Sequence, residues 1–192
     1  EIAKNFLELQ SAEALRWFVQ TWMLQTGFDE LRQHPDWRAE GTWQNETRKP
    51  RLSILKVLAS LPSSWFSIDE LIEAFKLVYP DFLRKGADYE VWRIQSLQTG
   101  GLIRGVNSWS QLEAPFLRHF ISKLLYRLGL LSLDDPERPK AFKLSPWFGF
   151  LTGLCEGASP EFSGQKAPIL INPAGKLELQ ASSDRLARYQ VS

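Results

Sequence analysis

Sulfur and histidine are scarce in this amino-acid sequence. Its 192 residues include one cysteine, Cys155, one methionine and two histidines, His34 and His119. A single cysteine forms neither a disulfide within the chain nor a Cys-x-x-Cys metal site, and the histidines lie far apart with no second ligand at metal-binding spacing. We therefore expect a protein of the reducing cytoplasm that has no metal and no cofactor.

Long apolar runs are also missing. No stretch reaches the roughly 20 apolar residues that span a bilayer, and the first five residues lack the basic and apolar regions of a signal peptide. The sequence starts without methionine, and its last residues, 185–192, have the pattern of an amphipathic helix. We therefore expect a piece of a larger protein.

Groups at catalytic spacing are absent from the sequence as well. Asp69, Glu70 and Glu73 cluster, but they occupy the first turn of a predicted helix, where carboxylates favour the helix dipole. Cys155 has no activating base nearby and follows Leu154, so we interpret it as a small core residue. No motif has the residue types and spacing of a catalytic site, and we expect a non-enzymatic protein.

The sequence does contain the aromatic and aliphatic side chains of a packed core. Eight tryptophans and twelve phenylalanines contribute to a hydrophobic fraction of 44%, which is enough for a folded domain. Four tryptophans adjoin apolar runs and are expected to be buried: Trp65, Trp92, Trp109 and Trp147. Exposed members of the set would instead anchor a protein partner, and the sequence leaves both interpretations open.

Charge is balanced overall but unevenly distributed along the chain, with a formal net charge of +1. Residues 1–47 hold four basic and eight acidic side chains, a net −4. Residues 84–127 hold seven basic and three acidic side chains, a net +4. A polyanion would prefer this second stretch.

Apolar spacing predicts helices in the first half of the chain. Residues 3–24 have a helical period, with Ser11 as the N-cap of a second helix, and residues 36–50 have none and form a connector. A helix over residues 51–61 ends at Pro62. The next helix begins at the capping box Ser67-Ile-Asp-Glu70 and ends before Pro80.

The second half combines a long helix with short strands. This third helix begins at Ser110, where Glu113 would complete another capping box, or nearer Pro115, and its apolar side chains recur strictly every four residues to Leu128. Gly129 ends it. Two strands, 130–133 and 141–144, then flank a polar loop and form a wing. A helix from Ser145 to Gly157 and a hairpin with strands 169–171 and 177–179 follow, before a short helix from Ser182 or Ser183.

The expected fold is mainly α (α+β), with a winged helix-turn-helix core. We assign residues 1–48 to an N-terminal helical segment and residues 49–157 to the winged-helix domain. An irregular insertion at 81–107, with a short strand near Val91, interrupts that domain. Residues 158–192, with the hairpin and the last helix, form an incomplete following unit.

Scattered aromatic and Gly-Leu motifs resemble a known family. They are Pro80-Asp-Phe-Leu-Arg84, Asp88-Tyr-Glu-Val-Trp92, Trp109 with Glu113, Leu125-Tyr-Arg-Leu-Gly-Leu-Leu131, Ala141-Phe-Lys-Leu-Ser145 and Ile169-Leu-Ile-Asn-Pro173. From about residue 15 to the end, the chain resembles an uncharacterised bacterial family of winged-helix regions found beside domains similar to the N-terminal domain of XPB-type DNA helicases. The resemblance implies a DNA-associated role but no functional residues, and because the sequence has no G-x-x-x-x-G-K-[ST] loop, no ATPase activity is carried over.

The most specific functional hypothesis concerns the basic side chains on the polar face of the third helix, because Arg and Lys bind phosphates and guanine edges. The predicted DNA contacts are Arg118, His119, Ser122, Lys123 and Arg127 on the third helix, Arg104 before it, and Lys140 and Lys143 in the wing. Asp134, Asp135 and Glu137 would repel phosphate at the wing tip. The competing interpretation of the helix residues is an ordinary solvated face.

Two functions of different classes follow from these observations. The first is a non-enzymatic winged-helix module that binds or positions double-stranded DNA within a larger helicase-like or defence-related protein. The alternative is a protein-interaction or assembly scaffold that uses the winged-helix fold and a Trp-rich surface. Fold alone does not decide between them.

Overall fold

A computed structural model describes residues 11–43, 45–159, 169–171 and 177–179. The chain divides into two compact units, residues 1–160 and residues 161–192. The fold is mixed α+β with short strands. Among the described residues, no helix has both the length and the apolar character needed to cross a bilayer.

Helices and short strands alternate irregularly along the first unit. The helices are α1 (Ser11–Leu24), α2 (Arg48–Ala59), α3 (Ile68–Val78), α4 (Asp88–Val91), a 3-10 helix (Val106–Gln111), α5 (Glu113–His119) and α6 (Phe148–Thr152). The strands are β1 (Trp37–Glu40), β2 (Phe66–Ser67), β3 (Arg93–Ser96), β4 (Leu131–Leu133) and β5 (Ala141–Leu144). In the second unit, β6 (Ile169–Ile171) pairs antiparallel with β7 (Leu177–Leu179), which confirms the predicted hairpin. Its predicted turn and the helix from Ser182 or Ser183 lie outside the described residues.

The start of α3 follows its predicted cap. The Ser67 hydroxyl accepts a hydrogen bond from the amide of Glu70 at 3.3 Å, as an N-cap serine does. Ile68, Leu71, Ile72 and Phe75 are buried at a spacing of three and four residues. The amphipathic pattern therefore predicts both the existence and the buried face of this helix.

The third helix begins at Glu113 and contains a π-helical segment, Phe120–Leu125. Wider π turns bring residues four apart closer to alignment, which suits the strict four-residue spacing of its apolar side chains. Gly129, with φ 70°, closes the helix as predicted. Its amide donates to Tyr126 and the amide of Leu130 donates to Leu125, the two bonds of a Schellman motif.

A three-stranded antiparallel sheet in the order β2-β5-β4 packs beside these helices. Phe142 pairs with Phe66 on one side and with Leu133 on the other, and its side chain is buried. Lys143 pairs with Ser132, so those two side chains lie on the opposite face of the sheet. The two strands predicted for the wing are therefore present and paired.

The predicted boundary at residue 48 is wrong. Val19, Trp22, Leu31 and Trp37 belong to the same hydrophobic core as the helices that follow. The predicted connector, 36–50, contains β1, which pairs antiparallel with β3 inside the segment 81–107 that we expected to be irregular. β3 overlaps the short strand predicted near Val91, but its partner β1 lies more than 50 residues away in a segment without a clear period, so the sequence does not show the pairing.

The helix after the wing ends earlier than predicted. Gly153, with φ 70°, caps α6, four residues before Gly157. Gly157 instead allows close packing, since a Cβ at this position would lie 2.5 Å from the amide nitrogen of Phe150. Cys155 is exposed, so its assignment to the core is wrong. It lies beyond the end of the helix, where the apolar spacing that suggested burial no longer applies.

Candidate functional site

The protein's own N-terminal segment covers part of the third helix. The His119 ring lies 4.6 Å from the His34 ring, and His34 stacks on Trp37 at 3.6 Å, nearly parallel. At the next residue, Phe120 packs against Trp22 with 5.9 Å between ring centroids. A cavity of only about 60 Å³ separates the two parts, lined by Phe28, Glu30, Gln33, Phe116, His119, Phe120 and Leu124. The N-terminal segment therefore packs closely against this part of the helix.

The residues of the predicted basic face of the third helix differ in their burial and in their contacts. Arg118 forms an ion pair with Asp69 in the first turn of α3. His119 is half-buried against His34, and Ser122 is buried with 5% exposure, so placing Ser122 on the polar face is wrong. The π-helical segment rotates this part of the helix, which the α-helical period used in the sequence argument does not anticipate.

Of the predicted basic contacts, only Arg127, Arg104 and Lys140 are exposed, while Lys123 and Lys143 are half-buried. Within the described part of the chain, none of these five forms an ion pair. They lie on the end of the third helix, the segment before it and the wing. The predicted site residues are therefore not gathered into one face.

The acidic residues at the wing tip serve the local backbone. The Asp134 carboxylate accepts hydrogen bonds from the amides of Lys140 and Ala141 at 3.0 Å, and Asp135 accepts from Glu137 and Arg138. These backbone hydrogen bonds lower the pKa of Asp134. The loop therefore keeps this negative charge, which opposes contact with phosphates.

Tryptophan is mostly a core residue in this protein. Trp92 and Trp109 are buried, as expected, but Trp147 is only half-buried and Trp65 is 52% exposed, contrary to the prediction. Of the eight tryptophans, only Trp65 and Trp17 are largely exposed. A Trp-rich surface is therefore not present.

A buried ion pair, which sequence reasoning missed, joins the segment after α3 to the third helix. The guanidinium of Arg84 donates from Nε and Nη2 to the two carboxylate oxygens of Glu113, each at 2.7 Å, and also from Nη2 to Ser108 at 2.9 Å. Arg84 and Glu113 are both completely buried. Burial raises the pKa of Glu113, and the hydrogen bonds from Arg84 oppose the rise. Glu113, predicted to close a capping box, instead holds the segment 79–112 to the core.

A second buried arginine holds the end of α1. Arg51 donates to both oxygens of Glu30 at 2.8 and 2.9 Å, and to the backbone carbonyls of Trp22, Gln25 and Phe28. The Trp22 carbonyl lies in the last turn of α1, where carbonyls have no partner within the helix, and the other two belong to the segment that follows. Arg51 therefore satisfies the C-terminal end of α1 and fixes the segment that covers the third helix.

The two histidines, which the sequence argument treated as unrelated, meet at this contact. Burial, and then the neighbouring His119, lower the pKa of His34 to about 4. Burial also lowers the pKa of His119. Both rings are therefore neutral at pH 7, and the unfolded chain, where a histidine has its ordinary value near 6.5, binds protons more readily.

Acid is therefore expected to weaken the fold. Stability from His34 is complete above about pH 6.5 and is lost as the pH falls toward 4, amounting to about 2 kcal/mol by pH 5. Urea unfolding at pH 7 and pH 5 measures this loss. His34→Phe keeps an aromatic ring against Trp37 and cannot be protonated, so its loss between the two pH values should be smaller by about that amount. An equal loss in both proteins would refute the assignment.

The described residues contain two surface clefts and no cluster of metal ligands. No group of three or more His, Cys, Asp or Glu side chains in this part of the chain is placed to hold a metal ion. A cleft of about 390 Å³ lies between the start of α2 and the segment after α3, and its wall carries Lys49 and Lys85 together with Glu46, Asp81 and Asp88. A second cleft of about 490 Å³ adjoins it along α2.

A comparison with protein-family models, curated proteins and solved structures found no match for this chain. The resemblance to the helicase-associated winged-helix family therefore remains a prediction.

Proposed function

We propose that residues 48–144 form a winged-helix unit with a long insertion between its second and third helices. Support comes from the order of α2, β2, α3, the third helix, β4 and β5, and from the central position of β5 between β2 and β4. This is the arrangement of helices and wing in winged helix-turn-helix domains. The insertion, residues 79–112, is fixed to the third helix through Arg84 and Glu113.

The function that the geometry supports best is assembly: a non-enzymatic module that docks a protein partner. The observation that carries this proposal is the covered third helix. In DNA-binding winged helices this helix enters the major groove, but here the N-terminal segment contacts it at two adjacent residues, with His34 against His119 on its polar face and Trp22 against the buried Phe120. Because Leu31 and Trp37 on the covering segment are core residues, the cover is part of the fold.

Exposed apolar side chains mark where a partner would bind. Leu77, Val78 and Tyr79 at the end of α3 are all exposed, Leu77 by 84%. Val91 and Val106 are exposed on the insertion, which joins the end of α3 through a hydrogen bond from Trp109 to the Pro80 carbonyl at 3.0 Å. We name these five residues the insertion patch. Contiguous exposed apolar patches are typical of interaction sites, and we propose that these residues act as one.

Site-specific photocrosslinking in cells tests the assembly proposal. A benzoylphenylalanine at position 77 or 106 should give the same crosslinked partner polypeptide, identified by mass spectrometry. The matched control is the same amino acid at position 140, exposed in the wing loop, which should give no such product. Absence of a shared partner for positions 77 and 106 would contradict docking at the insertion patch.

Binding of double-stranded DNA is the second candidate. The observation that favours it is that Lys123, Arg127 and Lys143 form no ion pair with any described residue. The Arg118–Asp69 pair is on the surface, and such pairs contribute little energy, so a phosphate could replace Asp69.

Fluorescence anisotropy of a labelled duplex at several salt concentrations distinguishes the two functions. If DNA binds through the third helix, Arg118→Ala/Lys123→Ala should weaken binding and reduce its dependence on salt, since fewer counterions are released. If the module serves assembly, wild type and double variant should show the same weak, non-specific binding. A clear difference between them would favour the DNA function.

A further inference from the structure

The insertion adds a third strand to the antiparallel pair of β1 and β3. After β3 the chain turns back, and the amide of Ile103 donates to the Ile94 carbonyl at 2.8 Å. Leu102 lies opposite Gln95 in an antiparallel bridge. Residues 101–104 therefore run beside β3 and form one edge of a small sheet whose other edge is β1.

One face of this sheet belongs to the core and the other faces solvent. Trp37, Ile94 and Ile103 are buried, each with at most 3% exposure. Successive side chains along a strand point to opposite faces, so the residues that alternate with these three point outward. The outward residues are all exposed except the half-buried Gln95: Arg38 and Glu40 in β1, Arg93 and Gln95 in β3, and Leu102 and Arg104 in the third strand.

Two arginines lie side by side on the solvent face. Because Leu102 is opposite Gln95, the antiparallel register places Arg104 opposite Arg93. Like charges directly opposite each other on neighbouring strands are unfavourable. Glu40 lies opposite Arg93 on its other side, but neither arginine forms an ion pair within the described part of the chain. The sheet itself therefore leaves this pair of positive charges without a close counter-charge.

Two exposed leucines and an open strand edge adjoin the arginines. Leu102 is 47% exposed, and Leu97, the residue after β3, is 58% exposed. The backbone N–H and C=O of Leu102 point away from β3, because the hydrogen bonds on either side of it are made by Gly101 and Ile103. Neither group has a hydrogen-bond partner among the described residues. Such an edge can pair with an extended segment of another chain.

We name Arg93, Leu97, Leu102 and Arg104 the edge surface, and we propose that it binds an extended, acidic segment of a protein partner. Added beside the third strand, this segment would place an aliphatic side chain opposite Leu102 and a carboxylate opposite Arg104. Residues two apart in a strand share a face, so the partner carries an aliphatic and an acidic residue at that spacing. Arginine suits the carboxylate because its planar guanidinium donates two parallel hydrogen bonds.

The composition of the surface favours a polypeptide over a nucleic acid. A phosphate backbone would gain nothing from the exposed Leu97 and Leu102, and the neighbouring Glu40 would repel it. The inference rests on the assembly function, since it names the chemistry of the docked partner. It uses none of the residues of the insertion patch, so the two surfaces can be tested separately.

Fluorescence anisotropy of a labelled synthetic peptide tests the edge surface on the whole chain. A peptide with the repeat Leu-Thr-Glu-Thr should bind saturably, and the matched repeat Leu-Thr-Lys-Thr should bind at least about tenfold more weakly. Arg93→Gln/Arg104→Gln should weaken binding of the acidic peptide about tenfold, which corresponds to the loss of two surface charge contacts. Arg138→Gln, the matched removal of an exposed arginine in the wing loop, should leave the affinity unchanged.

Hydrogen exchange of single amides tests the strand pairing. The amide of Leu102 should exchange rapidly in the free protein and become protected when the acidic peptide is bound. The amide of Ile103, which already donates to Ile94, should be protected in both states and serves as the internal control. Binding without protection of Leu102 would contradict an added strand.

Stability separates lost binding from lost folding. Because Arg104 lies opposite another arginine, Arg104→Gln should leave the melting temperature unchanged or raise it by about one to two degrees. Equal binding of the acidic peptide by the wild type and by Arg93→Gln/Arg104→Gln would overturn the proposal. So would a dimer in sedimentation, or binding of a DNA duplex, that the double variant loses. A shared crosslinked partner at positions 77 and 106 without peptide binding would reject this inference and leave the assembly function intact.

Discussion

Glu113→Gln is expected to lower the free energy of unfolding by about 3 to 5 kcal/mol, because it leaves the Arg84 guanidinium buried without a counter-charge. Arg84 has no exposed surface, and both of its short bonds to Glu113 end on carboxylate oxygens. The glutamine has nearly the same shape, so the loss reports charge and not a cavity. Urea unfolding followed by tryptophan fluorescence measures it.

A double variant distinguishes the cost of one unpaired buried charge from the net contribution of the ion pair. Arg84→Met/Glu113→Leu replaces both charges by apolar side chains of similar length and should recover most of the stability lost by Glu113→Gln, since buried ion pairs cost much of their attraction in desolvation. If Glu113→Gln costs less than about 1 kcal/mol, the site is hydrated or open, and the anchoring of the insertion described above is wrong.

Arg51→Ala is expected to cost a similar amount, about 3 to 5 kcal/mol, because it leaves the Glu30 carboxylate without a counter-charge and several backbone carbonyls without donors. Arg51→Lys should recover only part of the loss, since an ammonium group cannot reproduce the two parallel bonds to Glu30. Denaturant unfolding of both variants tests the claim.

Lys56→Ala is the matched control for Arg51. It removes a basic side chain from the exposed side of the same helix and should change stability by no more than about 0.5 kcal/mol. An Arg51→Ala protein as stable as Lys56→Ala would mean that Arg51 does not hold the end of α1, and the covering segment would lose its main polar attachment.

Local patterns predict much of the fold. The cap at Ser67, the apolar period of α3, Gly129 as the end of the third helix and the two wing strands all follow from interactions within a few residues along the chain. Such short-range rules are the ones that a single sequence expresses clearly.

The candidate site could not be predicted because it depends on contacts between distant residues. His34 and His119 are 85 positions apart in the sequence but lie in ring contact. Arginine and glutamate are usually found at the surface, whereas Arg84 and Glu113 are buried as a pair of opposite charges. Ser122 is buried because π turns change the rotation of the helix, and a fixed α-helical period places it outside.

The central claim, that the N-terminal segment covers the third helix as part of one core, is tested most directly by native-state hydrogen exchange. The amides of β1 and of the third helix should exchange with the same free energy, close to that of global unfolding, because both belong to one cooperative unit. If β1 exchanges through a separate opening of much lower free energy while the third helix remains protected, the segment is a detachable cover. The third helix would then be free to bind DNA, contrary to this account.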